Sequence, residues 1–447
     1  MPIPLYLSTF IPLYLYHCCP GKIKGEALKE LLLAIFVRFE TNTDSMDKNR
    51  FLTGQPIFTQ LLNFIPRGLV ARLAADYRTD RYYKKFRTYD HLVTMLYTSF
   101  HACNSLREVT TGMQVAFNKL NHLGIQYIPR RSTLADANRV RNEEFFSRLY
   151  HELYKYYYGN LPDSGLNKDQ QDRLYIIDST TIKLFSNVME GLGRKPVTGK
   201  QKGGAKAHVL MKSQEDLPCY ILITHACKND KVILDKFRLE PGSIVVFDRA
   251  YNNFKKLAEW KKQGVIWVTR LWKTTSHEIL ARMPVTEEQQ KNGVIADEKI
   301  RMGRPSNKQT TKVKARKITY FDAATNREFE FVTNNMKMTP SRIASIYKRR
   351  WQIEMLFKRI KQSYQLKYFL GDNENAIKIQ IWCALITDLL VKIVKDKAGK
   401  KWSYANIASM IRLHLMSYVN LFKFLNNPEK ALINYTTPNT NQLMLYG

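Results

Sequence analysis

The chain has 447 residues, 45% of them hydrophobic and 12% aromatic, which is enough apolar surface for a large packed core and excludes global disorder. It carries 70 Lys and Arg against 39 Asp and Glu, a net charge of +31, so a polyanionic partner is expected: nucleic acid first, an anionic membrane surface second. Six cysteines without a CxxC pair exclude a disulfide scaffold and leave no structural zinc motif.

In chain order, residues 1–45 are electrically neutral. Lys22, Lys24, Lys29 and Arg38 are balanced by Glu26, Glu30, Glu40 and Asp44, so the whole excess lies in residues 46–447. Residues 1–20 carry no acid or base, but they lack a basic start, and Pro4 and Pro12 interrupt the apolar stretch; this argues against a signal peptide and against a membrane span. The segment reads as a leader outside the functional protein, with Met46 as the working start. Residues 46–160 read as a helical DNA-binding domain, with apolar residues at three-four spacing over 58–62 and 92–100. A helix over 106–120, a connection containing Gly124 and a helix over 132–141 with Ser132 as N-cap fit a helix-turn-helix or an ordinary helical hairpin. Arg130, Arg131, Arg139 and Arg141 lie on or just ahead of the second helix.

Residues 160–171 are polar, contain Pro162 and Gly165, and read as a linker. Strands are then predicted over 174–184, 207–211, 219–224, 243–247 and 265–269. Helices are predicted over 232–239 and 252–263, the latter closed by Gly264. Three strands, helix, strand, helix, strand suits a mixed α/β sheet with helices packed on it. Gly203 and Gly204 among Lys200, Lys202 and Lys206 look like a phosphate loop, but the GK[ST] ending is missing and they read as a basic strand connection. Residues 271–333 form a β-rich insertion with a hairpin of 312–319 and 328–333 around a turn at 322–326. Thr339 as N-cap and Pro340 at N1 open a long helix that runs to about Tyr364. Residues 376–447 are helical again; their longest apolar stretch, 379–394, contains Asp388 and Lys392 and reads as a buried amphipathic helix.

Two acids stand where a solvated acid is not expected: Asp178 inside the apolar run IIDST, and Asp248 at the end of VVFD. Strand ends on one edge of such a sheet are where reactive groups collect, although an Asp that caps a turn is the plain alternative for each. On the long helix, Tyr347, Arg350, Glu354 and Lys361 fall within an arc of about 60° at 100° per residue, along the margin of an apolar stripe; a salt-bridged surface helix is the alternative. Three carboxylates from two strands and a helix suit two Mg2+ ions about 4 Å apart, with Mn2+ as a substitute, and phosphoryl transfer on DNA uses such an arrangement.

With DST at 178–180, DRAY at 248–251 and Y-x-x-R-x-x-x-E-x-x-x-x-x-x-K met by Tyr347, Arg350, Glu354 and Lys361, the sequence resembles the DDE transposases of the insertion sequence 4 family, relatives of the transposon 5 enzyme. The resemblance covers about residues 46–396 and includes TNN at 333–335. It implies an α/β fold: an RNase H-like catalytic core over 172–270 and 334–375 with the β-rich insertion at 271–333, preceded by the helical domain of 46–160 and followed by a helical C-terminal region, 376–447. Asp178, Asp248 and Glu354 are then the catalytic metal ligands, and Tyr347, Arg350, Lys361, Trp351 and Arg249 contact DNA. The implied cofactor is Mg2+. The implied partners are double-stranded DNA, as terminal inverted repeats and as target, and a second copy in a homodimer. No membrane is involved, and the location is bacterial cytoplasm, at the nucleoid. The implied activity is excision by hydrolysis and transesterification through a hairpin, followed by insertion. An aromatic of the insertion region stacks on a flipped base in such enzymes, and Trp267 and Trp272 are the candidates. A catalytically inactive DNA-binding protein and a nuclease without strand transfer stay open as alternatives; the intact acid set argues against decay. His208 reads as structural.

Overall fold

The structure, a computed structural model, describes residues 54–125, 127–159, 173–183, 193–194, 202–226, 230–272, 274–303, 312–364, 366 and 368–431. The 1–45 leader, the 160–171 linker and Lys200 lie outside the described residues.

Among the described residues, seven α-helices precede the sheet: α1 (Ile57–Leu62), α2 (Arg67–Asp76), α3 (Thr88–His101), α4 (Leu106–Val115), α5 (Leu120–Leu123), α6 (Arg131–Val140) and α7 (Glu144–Tyr158). Helix α3 is buried along almost its whole length, as expected of a helix packed on all sides. Two expectations change here. The helix over 106–120 breaks at Ala116 into α4, a short 3-10 turn (Phe117–Lys119) and α5. Val115 and Phe117 are largely exposed at the break, so a straight continuation would bury little. Helix α6 begins at Arg131 behind an extended Arg130, so Ser132 sits in the first turn and is not the N-cap. Arg141 is 2% exposed rather than solvated, and donates to the backbone carbonyls of Thr79, Phe86 and Arg87.

Then come β1 (Leu174–Lys183), β2 (Gly193–Arg194), β3 (Lys202–Lys212), β4 (Leu217–His225), α8 (Asp230–Ile233), β5 (Ile244–Phe247), α9 (Phe254–Lys262) and β6 (Ile266–Arg270). They are followed by β7 (His277–Arg282), α10 (Glu287–Lys291), β8 (Val294–Met302), β9 (Val313–Asp322) and β10 (Arg327–Thr333). The strands form one sheet in the order β2-β3-β1-β5-β6-β10-β9-β8-β7, with β4 on β3. Strands β1, β5 and β6 run parallel, and the remaining pairs are antiparallel. All five strands expected before residue 271 are present. Helix α9 stops before Gly264, which adopts φ +73, a left-handed conformation open to glycine. The expected helix over 232–239 is shorter: α8 passes into a 3-10 turn that ends at Lys236. Gly203 and Gly204 lie within β3, not in a connection. The hairpin of the insertion is β9 and β10, and β10 pairs with β6, so strands β7 to β10 extend the same sheet.

The core beneath the parallel strands is aromatic: Phe247, Tyr251, Trp260 and Trp267 are almost entirely buried. On the sheet lie α11 (Pro340–Lys348) and α12 (Trp351–Ser363), and the chain continues into α13 (Glu374–Lys397), α14 (Tyr404–Leu413) and α15 (Leu421–Asn426). The single long helix expected from Pro340 is thus divided. Around Arg349 and Arg350 the N–H groups of Arg350, Gln352 and Ile353 reach carbonyls three residues back, the tighter 3-10 pattern, which turns about 120° per residue instead of 100°. Helix α13 is buried almost throughout from Ala376 to Val394 and runs back against the first helices. Asn375 donates to the carbonyls of Asn138 and Arg141, and Trp382 donates to Glu143. No helix among the described residues is long and apolar enough to cross a membrane.

Arg359 fastens α12 in place. Its guanidinium donates twice to Asp388 of α13, at 3.0 and 2.9 Å, and at 2.8 Å to Asp216 in the β3–β4 turn. Tyr404 of α14 donates to the same Asp388 at 2.6 Å. Asp388 is 1% exposed, so removal of its partner leaves a buried carboxylate uncompensated. Arg359→Met is expected to lower unfolding stability by about 3–5 kcal/mol in urea denaturation; a loss below about 1 kcal/mol contradicts this role.

Candidate active site

The site begins with strand register. β1 and β5 pair in parallel from Leu174 opposite Ile244 to Ile177 opposite Phe247. All four residues of β5 are buried, as are Leu174, Ile176 and Ile177 of β1. One residue beyond the last pair come Asp178 and Asp248. Two acids far apart in sequence therefore stand at the same edge of neighbouring parallel strands. Each is tied locally by one oxygen: Asp178 accepts the N–H of Ser179 at 2.8 Å, and Asp248 accepts the N–H of Ala250 at 3.2 Å as the cap of the 3-10 turn Arg249–Tyr251. The capping alternative and the site reading thus hold together for Asp248.

Helix α12 carries Glu354 to this edge. Arg350 joins the acids: its guanidinium lies 3.3 Å from Asp178 and 2.5 Å from Glu354. Asp248 faces a second cation, Arg270, at 3.9 Å. Burial pushes the Asp178 carboxyl up to about 6; its hydrogen bond from Ser179 and the charge of Arg350 oppose this, while Asp248 and Glu354 add to it. All three carboxylates therefore act on one electrostatic neighbourhood.

The other expected residues divide. Tyr347 is buried, with the guanidinium groups of Arg270 and Arg350 at 5.4 and 5.8 Å from its ring centre. Burial raises its phenol above the ordinary range. Lys361 donates to the carbonyl of Thr181 on β1, three residues beyond Asp178. Trp351 is 60% exposed at the start of α12. Arg249 lies over the ring of Trp272 at 4.1 Å, and Trp272 is about half exposed. Trp267 is a core residue, fully buried, with its indole N–H bonded to Leu257. His208 is buried opposite Ser179, with one ring nitrogen on Thr224 and the other 3.3 Å from Asp230.

Two features escaped the sequence reading. Arg270 ends β6 just as Asp248 ends the apolar run of β5, and a charge that closes an apolar run was the available signal. Asp230 has no such signal. It accepts from Ser179 at 3.0 Å and from Lys206 at 2.7 Å, bracing the residue next to Asp178.

The donor set has the chemistry of a hard divalent cation site: carboxylate oxygens, one of them hard to ionise without a cation nearby. Among the described residues no three acids or other ligating side chains are yet close enough to hold a metal. Arg350 stands in the gap between two of the acids as an internal cation. The Nε of Arg270, the Nε of Arg350 and the hydroxyl of Tyr347 are buried without a well-formed hydrogen bond, which leaves three donors around the ring of Tyr347 for the oxygens of an anion.

Residues 169–388 match the family model of the transposase DDE domain, and residues 53–126 match that of a domain of unknown function, DUF4372. The y4zB protein of Sinorhizobium fredii, named as a transposase, is 29% identical over 59% of this chain and 71% of its own length. A protein of Geobacillus stearothermophilus named for the transposase of insertion sequence element IS5377 is 25% identical over 56% of this chain and 62% of its own length. A Synechocystis protein named for the transposase of element IS4SA is 25% identical over 70% of this chain and 85% of its own length. A solved piggyBac transposase synaptic complex with hairpin DNA aligns over 86% of this chain and 84% of that one at 10% identity, with a TM-score of 0.38, too low to establish a shared fold.

The sign of the pH effect at the site follows from Asp178. Its carboxyl holds a proton more tightly folded than unfolded, so stability falls as pH rises from about 4 through about 6. Loss of Arg350 removes the cation that opposes this shift. Arg350→Met is expected to be less stable than the wild type by about 2–4 kcal/mol at pH 8 and by under about 1 kcal/mol at pH 4, in urea denaturation with EDTA. A penalty that does not change with pH contradicts the charge assignment.

Proposed function

This chain belongs to the DDE transposases, and from that premise we propose that it binds the terminal inverted repeats of a mobile element as a homodimer, excises the element and inserts it into target DNA. The reading rests above all on Asp178 and Asp248, each one residue beyond the last pair that joins two neighbouring parallel strands, with Glu354 linked to Asp178 through one guanidinium. We read β1 to β6 as an RNase H-like core because β4, β3, β1, β5 and β6 are adjacent in that order, the first two antiparallel and the rest parallel. The helical residues 46–160 are its DNA-binding domain, strands β7 to β10 its insertion, and residues 376–447 its C-terminal region.

In this reading Asp178, Asp248 and Glu354 hold two Mg2+ ions, or Mn2+ in their place. When bound, these supply activation of the attacking oxygen and neutralisation of the leaving oxygen in phosphodiester hydrolysis and transesterification. The protein's own residues place the DNA. Arg270 and Tyr347 offer their unspent donors to a phosphate beside Asp248, with Arg350 joining them once it parts from the acids. Lys361 and Arg249 add positive charge at the two flanks. For a hairpin intermediate, Trp272 is the base-stacking aromatic, because it is exposed near the edge while Trp267 is locked in the core.

The test is cleavage of a duplex that contains the element end, in Mg2+, by the wild type and by Glu354→Gln. The substitution is expected to reduce cleavage by about a thousand-fold or more while DNA binding persists. Equal cleavage by the two proteins sinks the site assignment. Tight DNA binding without cleavage by either one favours the non-catalytic DNA-binding alternative.

A further inference from the structure

A dense group of cations lies far in sequence from the acids of the site. Between α2 and α3 residues 78–87 read RTDRYYKKFR, five cations and one acid. Arg78, Arg81, Lys84, Lys85 and Arg87 are all exposed, and among the described residues none lies within ion-pair distance of a carboxylate. The one acid, half-buried Asp80, is tied to the start of α3: it accepts both the N–H and the hydroxyl of Thr88 at 2.6 Å.

The loop is fastened from behind. Buried Arg141 donates to the carbonyls of Thr79, Phe86 and Arg87, and its guanidinium lies 4.5 Å from the ring centre of Tyr83 and 5.6 Å from that of Phe86. Arg78 and Tyr82 adopt φ +50 and +70, in the left-handed region that L side chains avoid. That conformation leaves Tyr82 86% exposed, with only the Arg81 guanidinium over its ring at 4.9 Å. A strained backbone that holds a large aromatic in water gains nothing from packing. Beside the loop opens a cleft of about 770 Å³ lined by four cations, Arg67, Lys84, Lys85 and Arg87, against two acids, Asp80 and Asp90, each of which already accepts backbone or hydroxyl hydrogen bonds.

We infer that the 78–87 loop is a preformed docking site for the sugar-phosphate backbone of duplex DNA, separate from the catalytic edge and from α6. Unpaired cations on a fixed frame release counterions from DNA without first breaking internal ion pairs, and a loop already ordered loses little entropy on binding. Tyr82 adds a hydroxyl donor and a flat ring to the same surface. The inference rests on the transposase reading only in taking DNA as the polyanion. It also relocates the expected basic contact: Arg139 is paired with Asp136 at 3.0 Å, and Arg141 serves as the pin behind the loop.

The test measures binding of the full chain to a random-sequence DNA duplex by fluorescence anisotropy over a salt series, in EDTA so that no cleavage intervenes. The triple variant Arg81→Gln, Lys84→Gln, Lys85→Gln changes only exposed side chains. It is expected to bind about ten-fold or more weakly at low salt and to lower the slope of log affinity against log salt by about 2 to 3. Tyr82→Ala is expected to weaken binding several-fold with the slope unchanged. A triple variant with wild-type affinity and slope overturns the inference and leaves the transposase reading standing. A wild type that binds no duplex overturns both. Tighter binding of duplex RNA than of DNA by the loop-dependent mode overturns the choice of polyanion.

Discussion

Carboxylates that share one partly buried sheet edge need cations among them. Two like charges 4 Å apart repel by about 4 kcal/mol at an effective dielectric near 20, and burial adds its own penalty on Asp178. Arg350 meets this constraint in the protein itself, bridging Asp178 and Glu354. The constraint accounts for the surroundings. Parallel pairing of buried β1 and β5 sets the two aspartates side by side, and Arg359 and the Ser213–Gln352 hydrogen bond hold the helix that brings the glutamate. The 3-10 turn at Arg349–Arg350 leaves Arg350 at the head of α12, where it can reach both acids.

The same principle works at two scales. At the site, a few angstroms of negative charge are balanced by one or two guanidinium groups. Across the chain, positive charge exceeds negative, and in the helical part it is presented on a loop whose one acid is engaged by the N–H and hydroxyl of Thr88. In the proposed function, acids that hold metal and cations that hold backbone phosphates are complementary demands of one substrate, a polyanion whose bonds are broken at one point.

Much of this was legible in the sequence. The five strands before residue 271 stood out because buried parallel strands read as short apolar runs between turn signals. Asp178 and Asp248 stood out because each interrupts or ends such a run. Glu354 was legible through its spacing from Tyr347, Arg350 and Lys361. What escaped depends on tertiary contacts. Nothing local to Arg141 tells that it is buried against the 78–87 loop, whose carbonyls lie more than 50 residues away in the chain. Asp230 looks like any loop acid until β3 and β1 place Lys206 and Ser179 around it. The division of the long helix was hidden because the residues around Arg350 are good helix formers, so nothing in the local pattern marks the 3-10 turn there. The reach of β10 across to β6 was equally invisible, since strand partners are not encoded by a strand's own pattern.

The central claim is that Asp178, Asp248 and Glu354 together form a divalent-cation site where the guanidinium of Arg350 now lies. Mn2+ binding followed by electron paramagnetic resonance, without DNA, tests it most directly. The account predicts saturable binding by the wild type that weakens by about ten-fold or more in each of Asp178→Asn, Asp248→Asn and Glu354→Gln. Mn2+ binding of unchanged strength in all three variants would contradict it.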